Sequence, residues 1–463
     1  MTIWMPSLDR SKPLYLAIAD ALASDVENGV LARGDRLPPQ RDLAWKLGVT
    51  LGTVTRAYRE AEVRGLLAGE VGRGSFIRGG AALQPLALLQ GDGDGLIDLS
   101  HAIPPPVISA ADFDQALASV MRDPKKLLLL DYAPPEGFAQ HRVMAQQWLK
   151  RSGIEVREQE VFVTAGAQLA LVTTLLALAQ RGEKVMAETI NYSLLRSTFE
   201  AAHVEPLCLG MDEEGLRPDE FERAAKAGLS RFLYVVPSIQ NPTTHSMNRG
   251  RRDEIVAIAR KYDVTIIEDD IFRLLDPRAQ PATFYALAPE RVVHVTSFSK
   301  TMAPGLRLGI LAVPLGQDRL MRNYLRTMSP RSVGLMGEMA RYWISSGKAD
   351  EMLSRIHVEL GQRRTMFMDV FKGYDYRCEP GSPFGWLKLP EGWTGRRLAA
   401  TLRGRRIAIT PGTAFDLAAK NNGAQHVRIC FGSPQANWRP VPTFEEICAV
   451  IEAGEDELFV PVA

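Results

Sequence analysis

Val292-Val293-His294-Val295-Thr296-Ser297-Phe298-Ser299-Lys300-Thr301-Met302-Ala303-Pro304-Gly305-Leu306-Arg307 sets an apolar run directly against a lysine. Long cations prefer open surface, so a lysine closing an apolar strand needs a chemical reason. The strand fixes the backbone, and an amine held there can condense with an aldehyde. The hydroxyls of Ser297 and Ser299 and the guanidinium of Arg307 offer charge-assisted partners to a phosphate. A phosphorylated aldehyde anchored on Lys300 satisfies both halves of the stretch.

Outward from it, the chain beyond about residue 96 alternates apolar runs with helical patterns. Runs at 185–188, 204–209, 231–236, 264–268, 292–297 and 308–313 read as strands, with helices such as 168–180 and 251–262 between them. Continuous Val/Ile-rich strands separated by helices imply a mostly parallel sheet covered on both faces, whose ligands sit at the carboxyl ends of the strands. Tyr192, Asn241 and Asp269 each follow such a strand, as Lys300 does. Pyridoxal 5'-phosphate explains the set. Lys300 takes the aldehyde, Asp269 pairs with the protonated ring nitrogen, Asn241 donates to the phenolic oxygen and Tyr192 stacks on the ring. Thr164-Ala165-Gly166-Ala167-Gln168 leads from a strand into a helix. The backbone N–H groups of Gly166, Ala167 and Gln168 can therefore cradle the phosphate, with Ser297, Ser299 and Arg307 adding bonds.

Arg428, in His426-Val427-Arg428-Ile429, is the candidate fork for an α-carboxylate, although an arginine taken alone is most often a salt-bridge partner. Tyr132 reads either as a phosphate ligand across a dimer interface or as a packed aromatic. Glu268 and Asp270 read as capping or solvent-facing groups. His101, His245 and His294 have no metal-ligand spacing, so no metal is assigned.

The first eighty residues read differently. Pro13 opens a helix with Leu14, Ile18, Leu22 and Val26 on one face, and Gly29 is its expected C-cap. A second helix is expected over 37–47, started by proline, with Gly48-Val49-Thr50 as the turn and Thr50 as the next N-cap. The third buries Val54, Tyr58 and Ala61 and turns Gly52, Thr53, Arg56 and Arg59 outward. A hairpin with the basic tip residue Arg73 follows. Helix, helix, tight turn, helix and hairpin is a winged helix-turn-helix, a reader of double-stranded DNA. Thr50, Thr53, Thr55 and Arg56, with Arg41 from the second helix and Arg73 from the wing, are the candidate DNA contacts.

At 463 residues the chain is expected to form two or three compact units. We place a head at 1–79, a Gly-rich linker at 80–95 and a large domain at 96–463. Within the last, a large subdomain spans about 131–315, and a smaller α+β one takes about 316–463 with part of 96–130. The composition, 46% apolar and 24% charged, is that of a globular protein. No apolar stretch reaches membrane-span length and no signal-peptide pattern opens the chain, so a cytoplasmic location with no membrane partner is expected. Cys208, Cys378, Cys430 and Cys448 are scattered and read as reduced core thiols. The net charge of +1 argues against general polyanion affinity, but residues 36–78 hold eight Lys/Arg against four Asp/Glu.

The head resembles the GntR family in Pro13-Leu14-Tyr15, Gly34-Asp35-Arg36-Leu37-Pro38, Arg41-Asp42-Leu43-Ala44, Arg56-Ala57-Tyr58 and Gly72-Arg73-Gly74-Ser75-Phe76. Leu51 and Gly52 stand where that family often places an arginine. From about Asp98 the chain resembles the fold-type I aminotransferases, which implies a large cofactor domain, a smaller domain from the terminal segments and homodimeric sites. Joined, the two parts resemble MocR-type regulators. That implies a pyridoxal-phosphate-binding, DNA-binding transcription regulator, a head-to-tail homodimer answering to an amino-acid or amine effector. The alternative is a working class I/II aminotransferase carrying a DNA-binding head. Ile271 and Phe272 replace a tyrosine that related sites place after the aspartate, which implies weak transamination.

Overall fold

In the computed structural model, residues 4–6, 8, 12–27, 30–31, 35–63, 67–70, 74–77, 95–328, 333–432 and 438–454 are described. The expected cap Gly29, the wing residue Arg73 and linker residues 80–94 lie outside them. Two units divide the chain, Met1–Gln84 and Pro85–Ala463.

In the first unit the four-residue spacing of apolar positions builds α1 (Leu14–Glu27), α2 (Gln40–Leu47) and α3 (Leu51–Val63), followed by the hairpin β1 (Leu67–Glu70) and β2 (Gly74–Ile77). Ile18 and Leu22 of α1, Leu43 of α2 and Val54, Ala57 and Tyr58 of α3 close one core over Leu67 and Ile77. Helix α2 starts at Gln40, later than the expected 37. A residue before proline is pushed out of the helical region, and Leu37 and Pro38 both precede one. Pro39 is extended at φ −52, ψ 139, and the Leu37 N–H donates to the Ser75 carbonyl of the hairpin at 2.9 Å. Gly48, left-handed at φ 65, ends α2. Thr50 caps α3, its Oγ1 accepting the Thr53 N–H at 3.2 Å.

In the second unit seven strands form one sheet: β3 (Val161–Thr164), β4 (Lys184–Glu188), β5 (Glu205–Leu209), β6 (Phe232–Val235), β7 (Thr265–Asp269), β8 (Val292–Ser297) and β9 (Gly309–Ala312). Their order is β3-β9-β8-β7-β6-β4-β5. The sheet is mostly parallel, as expected; the one exception is β9, which runs antiparallel to both neighbours. The connection from β8 holds only the short turn Pro304–Leu306, too little for the helical crossover that a parallel partner needs. This reversal places the lysine loop at the sheet edge where β3, β7 and β8 end. The register sets Asp269 beside Val295, and Ser297 beside Gly309, which faces Thr164.

A smaller antiparallel sheet follows, with β10 (Tyr376–Arg377), β11 (Phe384–Lys388), β12 (Thr410–Pro411) and β13 (His426–Cys430) in the order β10-β11-β13-β12. Phe367, Phe371, Phe384, Phe431 and Phe444 fill its core. The segment Ile97–Asp98 pairs in parallel with Ile407–Ala408, so the chain entering this unit joins its C-terminal part. Among the described residues, no helix is long and apolar enough to cross a membrane.

Candidate functional site

Lys300 lies just past β8, and its Nζ donates to the Ala102 carbonyl. Burial lowers its pKa to about 8, and the nearby Arg428 and Arg307 charges act in the same direction. The Phe272 ring, buried against Phe384, is centred 5.7 Å from Nζ. It brings no hydroxyl to the site.

Asp269 ends β7. Its Oδ2 accepts the Tyr234 hydroxyl at 2.8 Å, while Oδ1 is buried and has no donor among the described residues. Burial pushes the carboxyl up to about 6, against the Tyr234 hydrogen bond and with the help of the Asp270 charge. Tyr234 is a site residue that the sequence reading missed. It sits inside the wholly buried run Phe232–Val235, where nothing but the need of a buried phenol for a partner marks it out.

Tyr192 is fixed by its hydroxyl, which donates to Gln168 Oε1 at 2.9 Å and lies 3.0 Å from Thr198 Oγ1. Burial holds its phenol well above the ordinary value. The Gln168 side chain also donates to Thr198, at 2.6 Å, so it serves to place Tyr192, and the candidate donor to an anion is its backbone N–H. Gly166, at φ 97, precedes the helix α4 (Ala167–Leu178). A Cβ added there would lie 2.8 Å from Arg307 Nη2, so the guanidinium rests directly over this glycine. A helix N-terminus and a guanidinium meeting at a residue without a side chain form a ready anion cradle. Ser297 is buried at the end of β8, and Ser299 immediately precedes Lys300.

Arg428, on β13, is buried between the rings of Phe415 and Phe384, 4.7 and 5.4 Å from their centroids. It donates to Asn241 Oδ1 at 2.7 Å and to the Ser100 carbonyl, and among the described residues its Nε has no acceptor. Among the described residues it has no carboxylate partner. Its hold on Asn241 Oδ1 leaves the Asn241 amide Nδ2 as the donor. Tyr132 stands apart from this cluster, 69% exposed beside Leu127, Leu128 and Leu130. Glu268 is buried and accepts the Phe284 and Tyr285 N–H groups, the capping alternative, with His294 Nδ1 2.9 Å from the oxygen that accepts Tyr285.

In the head, the Thr50 and Thr53 hydroxyls lie 2.9 Å apart at the start of α3. Thr55 donates to Gln40 Oε1 at 2.8 Å, and the Arg56 guanidinium lies 4.0 Å over the Tyr15 ring. Arg41, Thr55 and Arg56 are all exposed. These residues gather on the outer side of the turn and the third helix.

The large-unit cluster fits pyridoxal phosphate on its own terms. The orphaned Oδ1 of Asp269 suits a ring N–H, the Gly166–Arg307 cradle suits a phosphate and the desolvated Lys300 suits an aldehyde.

Residues 112–441 match the family model "Aminotransferase class I and II", and residues 14–77 match "Bacterial regulatory proteins, gntR family". The chain is 30% identical to the uncharacterized HTH-type transcriptional regulator YdeF of Bacillus subtilis over 404 residues, 86% of this chain and 87% of that one. It is 26% identical to the 2-aminoadipate transaminase of Thermus thermophilus, over 73% of this chain and 86% of that one. In fold it is similar to a kynurenine aminotransferase from Pyrococcus horikoshii crystallised with PMP (TM-score 0.71, 23% identity, 79% of this chain and 93% of that one). The chain belongs to the aminotransferase class I and II family and carries a gntR-family DNA-binding head, the MocR-type fusion of a GntR-type regulator with an aminotransferase-like domain for pyridoxal phosphate and an amino compound.

Proposed function

We propose that this chain regulates transcription by binding operator DNA through its head and answering to an amino compound bound beside pyridoxal phosphate, as a head-to-tail homodimer in the cytoplasm. One observation carries the reading. The same chain holds a capped recognition helix bearing exposed Thr55 and Arg56 and a desolvated Lys300 beside the orphaned oxygen of Asp269.

The cofactor, when bound, supplies an aldehyde that exchanges one amine for another and a ring that withdraws electrons. Lys300 is its anchor. Asp269, steadied by Tyr234, holds the ring nitrogen, Asn241 donates to the ring oxygen and Tyr192 offers a stacking face. The backbone of Gly166, Ala167 and Gln168, with Ser297, Ser299 and Arg307, holds the phosphate. Arg428 exchanges the Ser100 carbonyl for the carboxylate of the amino compound. The exposed ridge of Leu127, Leu128, Leu130 and Tyr132 supports a second copy packing there, with Tyr132 completing that copy's phosphate site. In the head, Thr50, Thr53, Thr55, Arg56, Arg41 and Arg73 meet the DNA, and binding weakens steeply with salt.

Phe272 favours regulation over turnover, because the ring it sets beside the lysine carries no hydroxyl to help move a proton. Footprinting on the DNA upstream of the chain's own gene, with and without pyridoxal phosphate and a panel of amino acids, tests the reading while 2-oxo acid is measured in parallel. The expected result is protection that changes with the amino acid and little oxo acid. Ligand-independent protection with rapid oxo-acid release would instead identify a working aminotransferase.

A further inference from the structure

Beside the cofactor cluster lies a cavity of about 210 Å³ that shares two of its walls, Tyr192 and Phe415. Phe415 is the ring on which Arg428 stacks, and Tyr192 is the ring held by Gln168 and Thr198. The remaining lining includes Arg196, Arg396, Thr413 and Asn421. Two guanidinium groups thus converge on one small space adjoining the candidate carboxylate fork.

Neither cation is neutralised. Arg196 donates through Nη2 to the carbonyls of Asp416 and Leu417, and Arg396 through Nε to Thr413 Oγ1 at 3.1 Å. Among the described residues, neither forms an ion pair, although most arginines around the large sheet do. Asp416 also lines the cavity, but its carboxylate is turned to its own loop. There it accepts the N–H groups of Ala418, Lys420 and Asn422 at 3.0, 2.7 and 3.0 Å. Like charges brought together without a counter-ion are unfavourable, and an anion between them removes the repulsion while gaining charge-assisted bonds.

We infer that this cavity is the side-chain subsite of the amino compound and selects a second anionic group, so that the effector is a dicarboxylic amino acid. The inference rests on the function proposed above. Arg428 holds the α-carboxylate. The side chain passes between Tyr192 and Phe415, and its terminal carboxylate ends between Arg196 and Arg396.

Glutamate and glutamine, alike in shape but different in charge, make the test. The full-length protein loaded with pyridoxal phosphate is titrated with each while the cofactor absorption is followed. The expected half-saturating concentration is at least about tenfold lower for glutamate, the equivalent of ~1.4 kcal/mol. In Arg396→Gln the ratio of the two falls toward one. Arg196→Lys, which keeps a cation but loses the fork, is a second variant should the first fold poorly. By calorimetry, glutarate binds and butyrate does not, a readout that needs neither amine chemistry nor turnover. Equal glutamate and glutamine responses in the wild type, or a ratio unchanged in both variants, would overturn the subsite alone. If no amino acid alters the absorption, the proposed function fails and the subsite falls with it.

Discussion

Tyr234 donates its hydroxyl to a carboxylate that burial already pushes toward protonation, so it controls how well Asp269 holds a positive partner. Tyr234→Phe is expected to weaken pyridoxal phosphate binding by about tenfold, since a hydrogen bond to a charged group contributes roughly 1.5–3 kcal/mol, and dissociation followed by absorbance measures it. Lys300 carries a different penalty. Its folded pKa, about 8, lies below the ordinary 10.5, so between those values the unfolded chain holds the extra proton. The cost is therefore full below about pH 8 and fades as pH rises toward 10.5. Lys300→Met should stabilise the cofactor-free protein by about 1–2 kcal/mol at neutral pH, partial exposure keeping the gain below the roughly 3 kcal/mol of the full shift. The gain should shrink above pH 9 in denaturant unfolding, and a gain constant with pH would contradict the assignment. Lys300 and Asp269 are legible in the sequence because a cation or a carboxylate closing an apolar strand has few structural reasons to be there. Tyr234 is not, because a phenol inside an apolar strand has the same pattern as core.

At the scale of elements, the phosphate cradle depends on one turn. Gly166 adopts φ 97, ψ 160, a conformation nearly closed to residues with a side chain, and a methyl group would press on Arg307. Gly166→Ala is expected to cost about 1–3 kcal/mol of stability and to lower pyridoxal phosphate affinity by at least about tenfold. Thermal unfolding and a phosphate-competition titration check the two effects separately. The strand-then-helix pattern around Gly166 can be read directly from the residues, because glycine before a helix has a specific backbone meaning. Two other features resist such reading. The late start of α2 follows from Pro38 and Pro39 competing with a proline-initiated helix signal. The reversal of β9 follows from the length of a connection, which hydrophobic periodicity does not report.

The whole molecule presents an apolar ridge, Leu127, Leu128 and Leu130, with 56–85% of each residue exposed. A patch of that kind marks an interaction surface. The proposed dimer should dissociate to monomers in sedimentation velocity when Leu128→Glu is combined with Leu130→Glu, and cofactor binding should weaken because the proposed reach of Tyr132 into a second copy would be lost. A double variant that stays dimeric would place the interface elsewhere. The division into a DNA-reading head and a cofactor-binding body is legible because their motifs occupy separate stretches. The arginine-lined cavity is not, because Arg196 and Arg396 are about two hundred residues apart and meet only through the fold.

The central claim is that pyridoxal phosphate is held by Lys300 in a chain that also reads DNA. Borohydride reduction of the loaded protein, followed by peptide mass spectrometry, tests it most directly. A pyridoxyl adduct is expected on the peptide containing Lys300 and none in the Lys300→Met variant. An adduct confined to other lysines, or none in the wild type, would contradict it.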